Sequence, residues 1–330
     1  MGEDVYISEQ KLKDTFKTIL MSHNVEKQEA DEIATVFTCN ARDGVISHSV
    51  SRFPLMMEYL DKEIIKPGVK PTLVSSFGAL EKWEAGFGFG ITSAKHCMCR
   101  AMELAKQYGI GLTVSVHSNH WMRPGYYGHM AADKGLIGIC WTTTKKNLVP
   151  WGADEPAVGN NPLVIAMPRE KGNVVFDSSM AQYSWGQISE NAADGKKLPT
   201  LGGYDQNGNL TDDPQEILKT FKAMSAGFWK GTALSIILES AACTLGQSDT
   251  VRDNDHYGDI ETNMTQVFLA INPKAINGTY SDDKTDRIIS RLREKGVRYP
   301  GEKAAKHREQ SESKGIQIPK RAWEKLLTLN

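Results

Sequence analysis

Apolar residues recur at helical spacing through about the first eighty residues of the chain. Three helices are predicted there, beginning near Ser8, Glu26 and Ser51, and the two prolines of "KPGVKP" end this helical block. On each helix the apolar residues lie three or four positions apart and therefore share one face. The three stripes are Leu12, Phe16, Ile19 and Leu20; Ile33, Ala34, Phe37 and Ala41; and Leu55, Met56, Tyr59 and Leu60.

The middle of the chain alternates short apolar runs with longer helical stretches. Gly78 separates two predicted strands in "PTLVSSFGALEKWEA", and Gly109 ends the helix "ITSAKHCMCRAMELAKQYG". Further strands are predicted at "IGLTVSV", "LIGICWTTT", "NPLVIAMP", "GNVVFDSS" and "TQVFLAINP", and a long apolar helix at "GTALSIILESAACTLG". The glycine-rich "LGGYDQNGNLTDDP" favours an exposed loop, and after about Asp282 the chain is predicted to be helical to its end.

Length, charge and cysteine usage limit the class of protein. A chain of 330 residues with net charge −1 suggests two domains or one elaborate domain, and it predicts no broad attraction to nucleic acid or anionic membrane. No apolar run reaches the roughly 18 residues of a transmembrane helix. The acidic "MGEDVYISEQKLKDTF" lacks the apolar core of a secretory signal. Five cysteines without a CxxC pair indicate reduced thiols, so a cytoplasmic location is expected.

The chain lacks the two glycine motifs that bind nucleotides in common α/β folds. Neither GxGxxG nor GxxxxGK[ST] occurs. "GFGFG" at Gly86 to Gly90 has the wrong spacing, and "GIG" at Gly109 to Gly111 lacks a third glycine. A standard Rossmann domain or P-loop is therefore not expected.

The segment "DGVISHSVSRFP" places Ser47, His48 and Arg52 on a turn just before a helix. Histidine gives or takes a proton near neutral pH, and arginine offers a flat fork that matches a carboxylate. Reduction of a 2-oxo acid needs both groups, because one holds the carboxylate while the other protonates the oxygen. The alternative is a capping turn with a solvated arginine.

The segment "VHSNHWMRPGYYGHMAADKG" contains three histidines, an arginine, a tryptophan and two adjacent tyrosines. The HxxH spacing of His117 and His120 leaves a metal hydrolase open as an alternative, although neither Glu nor Cys lies between them. His129 is typical of a surface or packed histidine, and neither it nor His117 is expected to have a chemical role.

Two further segments are candidates for ligand binding. "NVVFDSSMAQYSWG" ends a predicted strand in Asp and two serines, and loops at strand ends commonly carry binding residues. "GFWKG" opens the long apolar helix, where the helix N-terminus and Lys230 suit a phosphate.

Together these segments resemble the malate/L-lactate dehydrogenase family that lacks a Rossmann fold. "DGVISHSVSRFP" is similar to the family's G-x-x-S-H-G-x-x-R-x-P segment, and "PWGADEPAVGNNPLVIAMP" to its P-x-G…G-x-N-P element. "SNHWMRPGYYGHMAADKGLIGICWT" is most similar to the 2,3-diketo-L-gulonate reductase branch. The family's order continues with "VVFDSSMAQYSWGQI", "GFWKGTALSIILE", "TQVFLAIN" and "YPGEKAAKHREQSESKGI".

The resemblance implies catalytic roles for His48 and His120. His48 matches the expected proton donor, whereas ureidoglycolate dehydrogenases of this family use the histidine that matches His120, so both are candidates. Ser47 and Arg52 are the implied substrate-binding residues, with Arg52 on the carboxylate. Trp121 and the neighbouring tyrosines would wall a pocket that excludes water from hydride transfer.

The same resemblance implies a nicotinamide dinucleotide cofactor, NADH or NADPH, a homodimer, and no metal. It also implies an α+β fold that is not a Rossmann fold. A helical domain would comprise residues 1–75 and 283–330, and a mixed-sheet cofactor-binding domain residues 76–282. The implied cofactor-binding residues are Thr144, Gly172, Asn173, Val174, Val175, Phe176, Asp177, Ser178, Trp229, Lys230, Gly301, Glu302 and Lys303.

The implied activity is NAD(P)H-dependent reduction of a 2-oxo acid, sugar-derived and similar to 2,3-diketo-L-gulonate, to a 2-hydroxy acid. Alternatives are a malate, lactate or ureidoglycolate type of dehydrogenase, a cyclic imino acid reductase, and a member that binds dinucleotide without turnover. Ser49 departs from the family's glycine, at a cost on the order of 1 kcal/mol if that position needs a positive φ. Lys145 and Lys146 also depart from the pattern, and they bear on substrate identity more than on reaction class.

Overall fold

The fold is α+β, as predicted, with a mixed sheet that is not of the Rossmann type. The computed structural model describes residues 3–329. The helices are α1 (Glu9–Ser22), α2 (Lys27–Arg42), α3 (Phe53–Asp61), α4 (Gly90–Tyr108), α5 (Gly125–Ala132), α6 (Trp185–Ala193), α7 (Pro214–Thr220), α8 (Trp229–Gly246), α9 (Pro273–Asn277), α10 (Asp283–Glu294), α11 (Glu302–Lys314) and α12 (Lys320–Leu327). The strands are β1 (Asp4–Ile7), β2 (Thr72–Phe77), β3 (Leu80–Glu84), β4 (Ile110–Ser118), β5 (Ile137–Thr142), β6 (Leu148–Val149), β7 (Leu163–Met167), β8 (Val174–Ser178), β9 (Gly203–Tyr204), β10 (Leu210–Thr211), β11 (Ala223–Met224), β12 (Met264–Ile271) and β13 (Ile316–Pro319).

The largest sheet has seven strands in the order β2-β3-β4-β12-β5-β7-β8. β2 and β3 form the predicted antiparallel hairpin around Gly78. α4 connects β3 to β4, and these two strands pair in parallel. Gly109 ends α4 in the left-handed conformation, with φ +84°. β12 is central and buried along most of its length, which explains its nearly continuous apolar sequence.

The N-terminal helices bury the predicted apolar stripes except Leu55 of α3, which is half-buried. Ser8 caps α1, because its side chain accepts a hydrogen bond from the Lys11 amide. The rings of Phe16, Phe37 and Phe53 come from α1, α2 and α3 and lie 4.6 to 5.3 Å apart between centroids. This aromatic contact fixes the ends of the segment that connects α2 to α3.

The two ends of the described chain pair with each other. β1 and β13 form a two-stranded antiparallel sheet, in which Val5 lies opposite Ile318. The prediction of helix throughout the C-terminal region is therefore wrong at Ile316–Pro319. Ile316 and Ile318 are buried and Gln317 is exposed, an alternation that is typical of a strand.

The glycine-rich segment predicted as an exposed loop contains a small hairpin. β9 pairs with β10, with Tyr204 opposite Leu210. The Asp205 carboxylate accepts the amides of Asn207 and Asn209 at 2.8 Å, which closes the turn. The prediction is right for the exposed tip and wrong for its flanks.

The chain divides into two compact units. One comprises Trp141–Leu163 and Ser178–Gln266, and the other comprises the described residues of Gly2–Cys140, Val164–Asp177 and Val267–Asn330. These bounds differ from the predicted ones, and the division into a helical and a mixed-sheet domain stays a prediction. Within residues 3–329, no helix combines the length and the apolar character that crossing a membrane requires.

Candidate active site

His48 lies in a short 3₁₀ helix, Ile46–His48, between α2 and α3. The Asn40 amide donates to the His48 carbonyl at 3.1 Å, and the Ser47 hydroxyl lies 3.2 Å from Nδ1 of the imidazole. Ser49 is buried and its hydroxyl donates to the Phe37 carbonyl at 2.6 Å. The condition for strain at Ser49, a positive φ, is not met, because its φ is −133°.

His120 lies just beyond the end of β4, in a turn that is held by its neighbours. The Met122 amide donates to Nδ1 of His120 at 3.0 Å. Trp121 is fully buried, its ring stacks on Tyr127 at 5.5 Å, and the Tyr127 hydroxyl donates to the Trp121 carbonyl at 2.7 Å. Trp121 and Tyr127 are therefore core residues without a free surface, so the prediction that they wall a pocket is wrong for these two. For the half-buried Tyr126 it stays a prediction.

The structure brings His48 and His120 together in one unit. Their ring centroids lie 5.9 Å apart, and both residues are half-buried. Burial and the charges of Arg52 and Arg123 lower the pKa of His48 to about 4. Burial, Arg52 and His48 lower the pKa of His120 well below its ordinary value. Arg52, at the start of α3, therefore acts on both rings, and the free protein carries two neutral imidazoles at neutral pH.

A buried charge network connects the two histidine segments. Asp43, at the end of α2, accepts from Nη1 of Arg123 at 2.7 Å and from Nε and Nη2 of Arg308 at 3.0 and 2.9 Å. Nε of Arg123 lies 3.4 Å from the Asp177 carboxylate, which also accepts the Gly125 amide at 3.1 Å. Burial raises the pKa of Asp43, but the guanidinium groups of Arg308 and Arg123 outweigh burial and hold that pKa at about 2.

This network was missed by sequence reasoning. Arg308 approaches Asp43 from a helix that is 265 positions away in the chain, and local spacing carries no signal for such a pair. The sequence signal that could have indicated one member of this network is Arg123 itself, a cation between a tryptophan and a tyrosine pair in a predicted turn.

The other two histidines of this segment lie outside the pair. Nδ1 of His117 lies 2.6 Å from the Glu84 carboxylate on the neighbouring strand. The ring of His129 is next to Asn173, and burial with the charges of Arg123 and Arg308 lowers its pKa to about 4. Among residues 3–329, no group of three or more His, Cys, Asp or Glu side chains could hold a metal ion.

In the unit that contains the histidines, the structure brings together two predicted cofactor-binding segments, 172–177 and 301–303. The Val175 amide donates to the Pro300 carbonyl at 3.0 Å. Gly301 has φ +93°, and a Cβ there would lie 3.2 Å from the Val175 nitrogen, so only glycine fits without strain. α11 begins next to it without a side-chain cap, and Lys303 is in its first turn. An uncapped helix N-terminus with a lysine fits a dinucleotide phosphate.

In the other unit the remaining predicted cofactor residues are Thr144, Ser178, Trp229 and Lys230. The last two begin α8, which also lacks a side-chain cap and follows Phe228 at φ +60°. Thr144 donates to the Asn160 side chain at 3.0 Å. The Met180 amide donates to the Asn160 carbonyl at 2.7 Å, and the Met180 carbonyl accepts the Ala226 amide at 2.8 Å. These contacts connect Thr144 to the turn before α8.

Thr144 also lines a cavity of about 330 Å³ together with Lys145 and Lys146. Nζ of Lys145 donates to the Asp259 carbonyl at 3.0 Å, and Nζ of Lys146 lies 2.9 Å from the Asp255 carboxylate. The two lysines that depart from the family pattern are therefore paired with acidic residues beside a predicted cofactor position.

Comparisons with known proteins agree over nearly the whole chain. Residues 7–327 match the family model described as malate/L-lactate dehydrogenase. The 2,3-diketo-L-gulonate reductase of Pasteurella multocida (strain Pm70) is 38% identical over 331 residues, 98% of this chain and 99% of that protein. The structure of malate dehydrogenase from Entamoeba histolytica has a TM-score of 0.89 at 21% identity, covering 99% of this chain and 97% of that one, which shows the same fold. The structure of Δ1-piperideine-2-carboxylate reductase from Pseudomonas syringae pvar. tomato has a TM-score of 0.88 at 25% identity, covering 99% and 100%.

Proposed function

This chain belongs to the malate/L-lactate dehydrogenase family of oxidoreductases, and from that membership we propose that it reduces a 2-oxo acid to a 2-hydroxy acid with NADH or NADPH. The observation that carries the proposal is the pair of imidazoles 5.9 Å apart with Arg52 acting on both. Two rings that can face one carbonyl oxygen, beside a guanidinium that can hold a carboxylate, match the two ends of a 2-oxo acid.

Each group then has a defined task. Arg52 binds the carboxylate through its planar fork and orients the acid. When bound, a reduced nicotinamide supplies the hydride for the carbonyl carbon. An imidazole on the opposite side of the oxygen supplies the proton that completes the hydroxyl group. The Ser47 hydroxyl, 3.2 Å from the His48 ring, orients that ring toward the substrate.

The proposed substrate is a sugar-derived acid similar to 2,3-diketo-L-gulonate. The support is that a protein 38% identical to this chain carries that name. A cyclic imino acid is the second candidate, because a structure 25% identical to this chain is that of a Δ1-piperideine-2-carboxylate reductase. The substrates of malate, lactate and ureidoglycolate dehydrogenases are the remaining candidates, and the substrate panel described below includes their 2-oxo acids.

The proposed cofactor contacts lie in and before β8, at Thr144, and at the N-termini of α8 and α11. In the unit that contains the histidines they are Gly172 to Asp177 with Gly301, Glu302 and Lys303, and in the other unit Thr144, Ser178, Trp229 and Lys230. The uncapped starts of α8 and α11, each with a lysine in the first turn, support phosphate binding. Neither start distinguishes NADH from NADPH, so both belong in the assay.

A homodimer is the proposed assembly. α8 supports it, because this helix exposes Trp229 and Ile237, each 63% accessible. Lys230 is the one charged residue among the exposed residues of α8, which is described in full, and the other charged residue of the helix, Glu239, is buried. Large exposed apolar patches mark interaction surfaces. The other exposed apolar side chains of α8 are Leu234, Ile236 and Leu245.

We also propose a cytoplasmic location. The support is that all five cysteines are free thiols, and that Cys97, Cys140 and Cys243 are buried.

Oxidation of NADH and NADPH by the full chain tests the proposed function. The panel comprises 2,3-diketo-L-gulonate, pyruvate, oxaloacetate, an oxoureidoglycolate-like acid and Δ1-piperideine-2-carboxylate. We expect turnover of a 2-oxo acid, fastest with the sugar-derived one. Cofactor binding without turnover across the panel would instead identify a member that only binds dinucleotide.

A further inference from the structure

The hydrogen bond between the Met122 amide and Nδ1 of His120 has only one possible direction. A backbone N–H can donate and cannot accept, so Nδ1 of His120 is the acceptor at 3.0 Å and carries no proton. The neutral ring must therefore carry its proton on Nε2. Protonation of Nδ1 would place two donors against each other and break this hydrogen bond.

The backbone around Met122 holds that amide in place. Met122 has φ +67°, a conformation that non-glycine residues rarely adopt, and its side chain is buried. Trp121, immediately before it, is packed between Tyr127 and Phe268 with ring centroids 5.5 Å from each. The donor that fixes the tautomer is thus part of the core and does not move with the substrate.

His48 has no such restriction. The group next to its Nδ1 is the Ser47 hydroxyl, at 3.2 Å, and a hydroxyl can donate or accept. The ring can therefore change from neutral to charged by rotation of one hydroxyl hydrogen, while it keeps its hydrogen bond.

We propose that His120 is a permanent Nε2–H hydrogen-bond donor that positions the substrate oxygen, and that His48 alone carries the proton. The identity of the substrate in this inference rests on the proposed function, whereas the different roles of His48 and His120 rest on the geometry of their hydrogen bonds. The charged groups that act on the His48 ring are Arg52 and Arg123, and the groups that act on the His120 ring are Arg52 and His48. With one ring always neutral, the site never holds two adjacent imidazolium ions beside Arg52.

The tautomer can be tested without any substrate. In the full chain labelled with ¹⁵N-histidine, long-range proton–nitrogen spectra distinguish Nε2–H, Nδ1–H and imidazolium, and His120→Gln identifies the signal of His120 by its loss. We expect the Nε2–H pattern for His120, unchanged from about pH 5 to 8, the range in which free histidine titrates. An Nδ1–H pattern, or titration within this range, would overturn the inference.

Paired amide substitutions test the division of labour. The glutamine amide nitrogen reaches the position of Nε2, whereas that of asparagine reaches the position of Nδ1. His120→Gln should therefore keep kcat within about tenfold of the natural chain, and His120→Asn should not. Both His48→Gln and His48→Asn should lower kcat by roughly 10² to 10⁴, because an amide cannot transfer a proton.

The outcomes separate this inference from the proposed function. If the natural chain turns over no 2-oxo acid, the function fails and the spectra still decide the tautomer. If the chain is active but His48→Gln keeps its kcat while His120→Gln loses it, the function stands and the assignment of the two rings is wrong.

Discussion

The imidazole rings of His48 and His120 stack with their centroids 5.9 Å apart and their planes inclined by 26°. They come from different elements, a 3₁₀ helix after α2 and the turn after β4. At this separation one small molecule can contact both rings, which a shared catalytic pocket requires. The relationship supports predictions about the groups that surround the pair.

Arg52→Lys should raise KM for the 2-oxo acid at least tenfold, about 1.4 kcal/mol, because lysine keeps the charge and loses the two-pronged fork. Steady-state kinetics measure this change. Arg100→Lys is the matched control, since Arg100 of α4 pairs with the buried Glu81 of β3 and has no place in the site, so its loss should leave KM unchanged. Unchanged KM and kcat in Arg52→Lys would remove Arg52 from the site.

Binding of oxamate, an unreactive carboxylate, should take up a proton when NADH is present. Burial and the charges of Arg52 and Arg123 hold the pKa of His48 at about 4, below its ordinary 6.5. A carboxylate on Arg52 offsets one of these charges, so the pKa of His48 rises in the complex. The complex then binds more protons than the free protein, and affinity increases as pH falls from about 6.5 toward 4.

Calorimetry in two buffers of different ionisation enthalpy measures the proton uptake near pH 6. His48→Asn should abolish the uptake, whereas His120→Gln should keep it. Binding without proton uptake in the natural chain would contradict the link between Arg52 and His48.

The periodic elements were predictable because burial of one face imposes a local spacing. The stripe of α1 and the glycine that ends α4 are confirmed for this reason. The strand Ile316–Pro319 was not predictable, because its partner Asp4–Ile7 lies at the other end of the chain. Four residues give too short an alternation to compete with the helical pattern on either side.

The candidate site was predictable where one short segment carries the chemistry. The "DGVISHSVSRFP" segment indicated His48 and Arg52, and the structure adds that His120 lies beside His48. Asp43 belongs to that same segment, but its role was not predictable because its partners Arg123 and Arg308 are distant in sequence. Backbone strain was expected at Ser49 if that position needed a positive φ. The observed φ is negative, because φ depends on the fold around a position and not on residue type alone.

Asp43→Asn should lower the free energy of unfolding at neutral pH by about 2 kcal/mol, since it removes the shared anion of the buried Arg123 and the half-buried Arg308. Asp43 is 4% exposed and its pKa is about 2, below the ordinary 3.8. The contribution of the ionised Asp43 carboxylate to the free energy of unfolding is therefore fully present above about pH 4 and is lost as pH falls toward 2. Urea unfolding measured across this range should show a weaker pH dependence in Asp43→Asn.

Asp31→Asn is the control for that substitution. Asp31 also contacts two cations, Lys13 and Lys17, but its side chain is 42% exposed. Its loss should cost less than about 1 kcal/mol, as for other surface ion pairs. Equal losses for the two aspartates would show that the buried network has no special role in stability.

Ile237→Asp should shift the protein from dimer to monomer in sedimentation at micromolar concentration. Ile237 is 63% exposed on the apolar face of α8, and a charge buried in an interface is unfavourable. Ile288→Asp is the matched control, because Ile288 is similarly exposed at 64% but lies among the charged residues of α10. A natural chain that sediments only at 36.5 kDa with full activity would contradict the dimer.

Gly301→Ala and Gly315→Ala should separate cofactor binding from backbone strain. The two glycines flank the same helix, α11, with φ +93° and +87°. An added Cβ meets its nearest backbone atom at 3.2 Å in both cases, the Val175 nitrogen for Gly301 and the Ile7 carbonyl oxygen for Gly315. Each alanine should therefore lower stability by a similar amount, about 1–2 kcal/mol, which thermal unfolding measures.

Only Gly301 lies beside the proposed phosphate contacts, at the N-terminus of α11 and against Val175. Gly301→Ala should displace the first turn with Lys303 and weaken NADH binding at least tenfold, about 1.4 kcal/mol. Gly315→Ala should leave the dissociation constant unchanged in a fluorescence titration. If both variants bind NADH like the natural chain while both lose stability, the N-terminus of α11 does not hold the cofactor, and the proposed contacts in that unit reduce to Gly172 to Asp177.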